Sequence, residues 1–246
     1  MALLKYNKAI ISGITSCYPE NVIEGISASP VLTQKEAKKI ISTTGIKERR
    51  FASKEVCASD LCVQAAETLL ENLKIDRDSI DVLIFLSQTP DYMGVPATSC
   101  ILQDRLKLST NTAAFDMKLG CSGFVYALST CFSYVNSGAN RVLLLVGETL
   151  SKFTSSQDRS TALLFGDGAA AILIERSENN TPSYFSLRTN GAGADTIKIP
   201  SGGYRDQANS LSITKTEFED GSIRTGHHVK MDGMKVFDLT MNEVVK

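Results

Sequence analysis

The sequence has 246 residues, 43% hydrophobic and 22% charged, an ordinary globular composition that excludes a disordered or fibrous chain and suffices for a sizeable core. With 26 basic against 27 acidic side chains the formal net charge is −1, so no overall basic field exists to hold nucleic acid or an anionic membrane. No stretch approaches the ~20 apolar residues of a membrane span, and Met1-Ala2-Leu3-Leu4-Lys5 opens no long apolar run, which points to a cytoplasmic protein.

Apolar, β-rich runs at 8–14, 82–87, 113–116, 141–147 and 169–175 alternate with helical patterns at 33–43, 59–72, 96–106 and 123–137. This alternation predicts an α/β fold with a parallel sheet buried on both faces. Ser59-Asp60 is the expected N-cap of the second helix, and Asn136-Ser137-Gly138-Ala139-Asn140 is a stop before the next strand. After about Arg176 the character changes. Asn179-Asn180-Thr181-Pro182 reads as a turn, and the glycine-rich stretch 190–204 as loops around one or two strands. Residues 231–246 carry apolar side chains at helical spacing with no Gly or Pro to end them, which suggests an interrupted chain. The expected organisation is a first region, 1–175, that holds the nucleophile described next, and a second, 176–246, of connecting loops and a helix.

Cys121 draws attention through its surroundings. The run Ala114-Phe115-Asp116-Met117 enters a Gly120-Cys121-Ser122-Gly123 corner and leaves as an amphipathic helix, so the thiol sits at a strand-to-helix turn. Free N–H groups and the positive end of a helix dipole there favour thiolate over thiol, and the two glycines let the backbone turn tightly. The pattern fits a nucleophile; it also fits a small buried side chain, the common fate of an intracellular cysteine. The six cysteines form no C-x-x-C pair, and His227 and His228 are the only imidazoles, so neither a zinc site nor a disulfide framework is expected.

Four separated motifs occur in an order that resembles the β-ketoacyl-acyl-carrier-protein synthase III family of the thiolase-like superfamily. They are Thr44-Gly45-Ile46-Lys47-Glu48-Arg49-Arg50; Phe115-Asp116 with Gly120-Cys121-Ser122-Gly123-Phe124; Asp158-Arg159-Ser160-Thr161 ahead of Phe165-Gly166-Asp167-Gly168-Ala169-Ala170; and Met231-Asp232-Gly233-Met234-Lys235-Val236-Phe237. The resemblance spans essentially the whole chain. It implies the N-terminal half of a thiolase-like fold, with a five-stranded mixed sheet between helix layers.

It further implies that Cys121 takes an acyl group from an acyl-CoA or acyl carrier protein thioester, and that malonyl carrier protein is then decarboxylated and condensed with it in a Claisen reaction. Splitting a difficult bond formation into two thioester steps is what a covalent nucleophile provides. The Cys121 backbone N–H would supply half of the oxyanion hole. No cofactor or metal is implied beyond the thioester substrates, and the expected partners are acyl-CoA, acyl carrier protein and a second copy in a homodimer. The family's histidine and asparagine come from a second half that this sequence does not include, so the chain alone would self-acylate at most. Two other readings stand beside this one. The chain could be a non-catalytic half that pairs with a complementary chain, or an acyltransferase to an amine or hydroxyl without decarboxylation.

Other positions carry over singly. Arg159 matches a basic residue near the coenzyme A entrance, where a guanidinium suits phosphate, or it forms an ordinary loop salt bridge. Val95 matches the position that crosses the dimer interface to close the partner's acyl pocket, and a valine would leave room for a chain longer than acetyl. Plain core packing is the alternative. Phe165-Gly166-Asp167-Gly168 lacks the Lys-Ser/Thr of a phosphate loop and precedes a strand, so it reads as a structural turn. Lys118 is expected to face solvent. His227 and His228 lie where the family has no catalytic group. The tryptophan and arginine that often grip the nucleotide ahead of Thr44 are missing, with Lys39, Ile40, Ile41, Ser42 and Thr43 in their place.

Overall fold

The apolar runs assemble into a sheet whose successive residues are buried on opposite faces. In the computed structural model, which describes residues 2–27, 29–179 and 182–241, the elements begin with β1 (Ala2–Tyr6), β2 (Ala9–Cys17), β3 (Val22–Glu24), α1 (Gln34–Thr44) and β4 (Glu48–Arg50). There follow α2 (Ala58–Leu73), β5 (Val82–Leu86), α3 (Thr98–Arg105), β6 (Ala113–Met117), α4 (Gly123–Asn136), β7 (Arg141–Thr149), β8 (Asp167–Arg176) and β9 (Ser183–Leu187). The chain closes with β10 (Ile197–Lys198), β11 (Thr216–Glu217), β12 (Ile223–Arg224), β13 (Lys230–Met231) and α5 (Gly233–Leu239). The helix expected to run on to Lys246 leaves the described residues after Met241, as do Asn180 and Thr181 of the expected turn.

Two compact units interleave along the sequence: Met1–Glu20, Ala52–Thr149 and Asp167–Arg188 form the first, and Asn21–Phe51, Leu150–Gly166 and Thr189–Lys246 the second. In the first unit five strands pair in the order β2-β8-β7-β5-β6. β5 runs parallel to both β6 and β7, while β8 runs antiparallel to β7 and to β2, so the sheet is mixed. The parallel sheet expected from the apolar runs holds for the β7–β5 and β5–β6 pairs only, because two-sided burial, not strand direction, is what such runs report.

Leu83, Phe85, Leu143, Leu145, Ala171 and Leu173 pack with Leu61, Leu69 and Leu102 of α2 and α3. Their alternates Ile84, Leu86, Val142, Leu144, Ile172 and Ile174 pack with Ala127, Phe132 and Val135 of α4. The β1–β9 antiparallel pair adds to the α4 side, where Phe185 meets Tyr6 and Phe132 edge-to-face at ring separations of 5.6 and 5.4 Å. Helix α4 ends where expected, with Gly138 at φ +129° just past its C-cap Ser137. Helix α2 starts earlier than expected. Its N-cap is Cys57, and Asp60 is the third helical residue, whose carboxylate accepts the Cys57 N–H at 2.7 Å. An acidic residue at that position stabilises a helix start from inside, which is why it mimics a cap in sequence.

In the second unit, β3 and β4 form an antiparallel pair, and α1 opens with a capping box in which Thr33 N–H donates to Glu36 Oε2 at 2.8 Å. Asp158, fully buried, is held by Arg224 at 2.9 Å and Thr161 at 2.6 Å. Arg159 donates to Val31 O at 2.6 Å and pairs with the Glu36 carboxylate. The Thr33 bonds first, then Arg159, hold the Glu36 carboxyl at about 2, below its ordinary 4.5.

Two stability tests follow from this packing. Leu144 is fully buried in the centre of the α4 face, so Leu144→Ala is expected to cost about 2–5 kcal/mol in urea unfolding; a loss under about 1 kcal/mol would contradict the assignment. Because the Glu36 pKa is depressed on folding, its stabilisation is full above about 4.5 and is lost as pH falls toward 2. The gap in unfolding midpoint between the native chain and Glu36→Gln should therefore be widest near neutral pH and close in acid; a gap independent of pH would contradict it.

Candidate active site

At the carboxyl end of β6 the chain turns into α4 through residues 118–122, and Cys121 is exposed at that corner. The turn is closed by Gly123 N–H donating to Gly120 O at 2.7 Å. Glycine is required at 123 by space. A β-carbon there would lie 2.8 Å from Leu119 Cβ and 3.0 Å from Leu86 Cδ1, so any side chain would lift the corner off the end of β5.

The N-terminus of α4 is left open. Ser122 occupies the N-cap without a side-chain bond, no acidic residue sits in the first turn, and among the described residues the Cys121 and Ser122 N–H groups have no partner. Unpaired donors and the aligned peptide dipoles of a 14-residue helix give this corner a positive local field. A negative charge formed beside Cys121 would be stabilised without a metal or a cationic side chain. Lys118 is exposed and forms no ion pair among the described residues.

The neighbouring strand ends hold the corner. Ser87 N–H donates to Met117 O at 3.2 Å. Asp116, on β6, accepts Thr98 N–H at 2.9 Å and Ser99 N–H at 2.7 Å, so its carboxylate caps α3 from the strand beside it. Glu148, on β7, accepts Gln88 N–H and Thr89 Oγ–H, each at 2.7 Å, and burial pushes its carboxyl above the usual carboxylate range. Neither Gln88 nor Glu148 stood out in the sequence. The only local signal was an acid, Gly147-Glu148-Thr149, at the end of an apolar strand.

The remaining candidates distribute as follows. Val95 is in the first unit with Cys121, on the segment between β5 and α3, and is 83% exposed beside exposed Tyr92 and Met93. It contributes nothing to the core of its own chain. Arg159 belongs to the second unit, where its guanidinium is engaged by Val31 and Glu36, so any phosphate would have to compete with those contacts. His227 Nε2 lies 3.1 Å from Ser212 Oγ, and His228 Nδ1 accepts Thr225 N–H at 3.0 Å, with burial lowering the pKa of His228. Both imidazoles serve loop structure. Asp167 accepts Ala52 N–H at 2.7 Å as β8 begins, so this residue of the Gly-Asp-Gly segment is a strand-entry turn. Among the described residues no cluster of three or more His, Cys, Asp or Glu could hold a metal ion, and no helix is long and apolar enough to cross a membrane.

Comparison with known proteins identifies the family. Residues 115–192, which include Asp116, Cys121 and Glu148, match the family model for 3-oxoacyl-[acyl-carrier-protein (ACP)] synthase III. A Campylobacter jejuni relative named for the same synthase is 36% identical over 247 residues, spanning 96% of this chain and 67% of its own length. The β-ketoacyl-[acyl-carrier-protein] synthase III of Clostridioides difficile is 34% identical, spanning 97% of this chain and 70% of its own. The crystal structure of a Burkholderia xenovorans 3-oxoacyl-(acyl-carrier protein) synthase superposes with a TM-score of 0.89 at 35% identity, over 99% of this chain and 68% of that one. With its mixed sheet, its strand-to-helix cysteine corner and these likenesses, the chain belongs to the β-ketoacyl-acyl-carrier-protein synthase III family and has its thiolase-like fold.

Proposed function

We propose that Cys121 accepts an acyl group from an acyl-CoA or acyl carrier protein thioester. The observation that carries this reading is an exposed thiol at an uncapped helix N-terminus whose own N–H has no partner among the described residues. The Cys121 thiolate attacks the thioester carbonyl, the carbon–sulfur bond to the donor breaks, and the donor thiol leaves with the proton that Cys121 gave up. The free Cys121 N–H points to the oxyanion role, donating as negative charge develops on the carbonyl oxygen. Exchange of one thioester for another is nearly balanced in energy, so orientation and charge stabilisation are the main demands on the protein.

In the full reaction the acyl group then joins the carbanion left when malonyl carrier protein loses carbon dioxide. The new carbon–carbon bond forms as the bond to Cys121 Sγ breaks. His227 and His228 are committed to loop contacts, so the proposal for this chain by itself is the first transfer. Val95, with Tyr92 and Met93, forms an exposed apolar strip suited to a second copy of the chain, where a small side chain leaves acyl space in the partner. The chain is then half of a homodimer.

Mixing the chain with acyl-CoA should release about one equivalent of free coenzyme A thiol in a burst, the signature of a covalent acyl-enzyme. Cys121→Ser should abolish that burst, and an unchanged burst would refute the assignment. Val95→Phe should move the donor preference toward shorter acyl chains; an unaltered preference would remove Val95 from the pocket.

A further inference from the structure

Gln88 offers a polar side chain at the corner that no internal contact uses. Its backbone follows β5 and is fixed from two strands. The preceding N–H, from Ser87, reaches Met117 O at 3.2 Å, and its own N–H reaches Glu148 Oε1 at 2.7 Å. Thr89 closes the clamp. Its hydroxyl accepts Thr149 N–H at 2.9 Å and donates to Glu148 Oε2 at 2.7 Å. Glu148 thus spends both carboxylate oxygens on residues 87–89, with the Ser87 hydroxyl donating to Oε2 at 3.5 Å, and among the described residues it has no ion-pair partner. A partly buried carboxylate left without a cation is costly, so its hydrogen bonds to one short segment have to be well formed.

The clamp delivers the Gln88 carboxamide over Gly120, the residue before the nucleophile. A β-carbon at 120 would lie 3.3 Å from Gln88 Oε1 and 3.5 Å from Nε2. The side chain is exposed, and among the described residues the carboxamide makes no hydrogen bond. A group that can both donate and accept is therefore set, without an internal partner, against the residue that precedes Cys121, on backbone bonded to two neighbouring strands. Acyl-CoA and acyl carrier protein donors share a pantetheine arm with two amides, each the hydrogen-bonding complement of a carboxamide.

We infer that Gln88 is a further substrate-contacting residue, its carboxamide pairing with an amide of the donor's thioester arm, and that Glu148 is the positioning residue that holds it. This rests on the reading of Cys121 as the acyl acceptor. One neutral hydrogen bond to a bound arm corresponds to about a 3–10-fold change in affinity. The effect should fall on donors that carry the arm and spare those that do not.

The test pairs two donors with the same acyl group: acyl-CoA, and the S-ethyl thioester, which has no amide. Acylation of Cys121 is followed by intact mass. Gln88→Ala should raise the acyl-CoA concentration for half-maximal acylation rate about 3–10-fold with little change in the maximal acylation rate, and leave the rate with the S-ethyl thioester as it was. Glu148→Gln, which replaces one of the two accepting oxygens of the clamp with an amide NH2, should shift the same half-saturating concentration in the same direction and again spare the S-ethyl thioester. Equal losses with both donors, or no change with either, in Gln88→Ala would overturn the contact. Equal losses with both donors in Glu148→Gln alone would reduce Glu148 to a structural residue. If the native chain gains no acyl mass from either donor, the acyl-acceptor reading itself fails, and Gln88's role with it.

Discussion

Two-sided burial of β5 is the constraint on which the site depends. Leu83 and Phe85 are locked under α2 and α3, Ile84 and Leu86 under α4, and all five residues of the strand are buried. Its parallel register with β6 and β7, Leu86 opposite Met117 on one side and Val146 on the other, leaves the strand no freedom to slide. A one-residue slip would exchange the two faces. With the register set, three carboxyl ends arrive together: Leu86 against Gly123, Ser87 against Met117, and residues 88 and 89 against Glu148. Packing far from the corner decides where the corner sits.

The chemistry available there comes from what the fold leaves unsatisfied. Helix starts are usually closed by a Ser, Thr, Asp or Asn side chain. α1 follows that rule through Thr33, and α3 is closed by Asp116, whereas α4 has a serine in place whose hydroxyl makes no cap bond. The open donors cost little in water and gain value only when a charge or carbonyl oxygen is brought to them. The same logic separates Cys121 from Cys62 and Cys131, which burial in the two core layers pushes well up in pKa and away from thiolate chemistry.

Much of this was legible in the residues. The inner strands β5, β7 and β8 announce themselves because burial on both faces writes continuous apolar runs, while β2 and β6, at the sheet edges and partly exposed, follow from their β-rich composition and the alternation with helical patterns; the Gly-Cys-Ser-Gly corner is legible because tight turns need glycine. What stayed hidden depends on partners distant in sequence. β1 and β9 are short, half-exposed strands about 180 positions apart, so no local periodicity marks them. Glu148 meets Gln88 and Thr89 across about 60 residues, and only the parallel pairing of β5 with β7 explains why an acid ends an apolar strand. Asp60 looked like a cap because an N-terminal carboxylate stabilises a helix from its third residue as well as from its first. The family resemblance suggested a phosphate role for Arg159 but could not show the Val31 and Glu36 contacts that engage it in the folded chain.

Peptide mapping of the chain after incubation with an acyl-CoA, reading which of the six cysteines carries the acyl mass, tests the central claim most directly. Cys121 should be modified, with the exposed Cys100 as the internal control for non-specific thiol reaction and the buried Cys62 and Cys131 unlabelled. Acyl mass spread equally over Cys121 and Cys100, or none on Cys121 in a folded chain, would contradict the account of an activated corner.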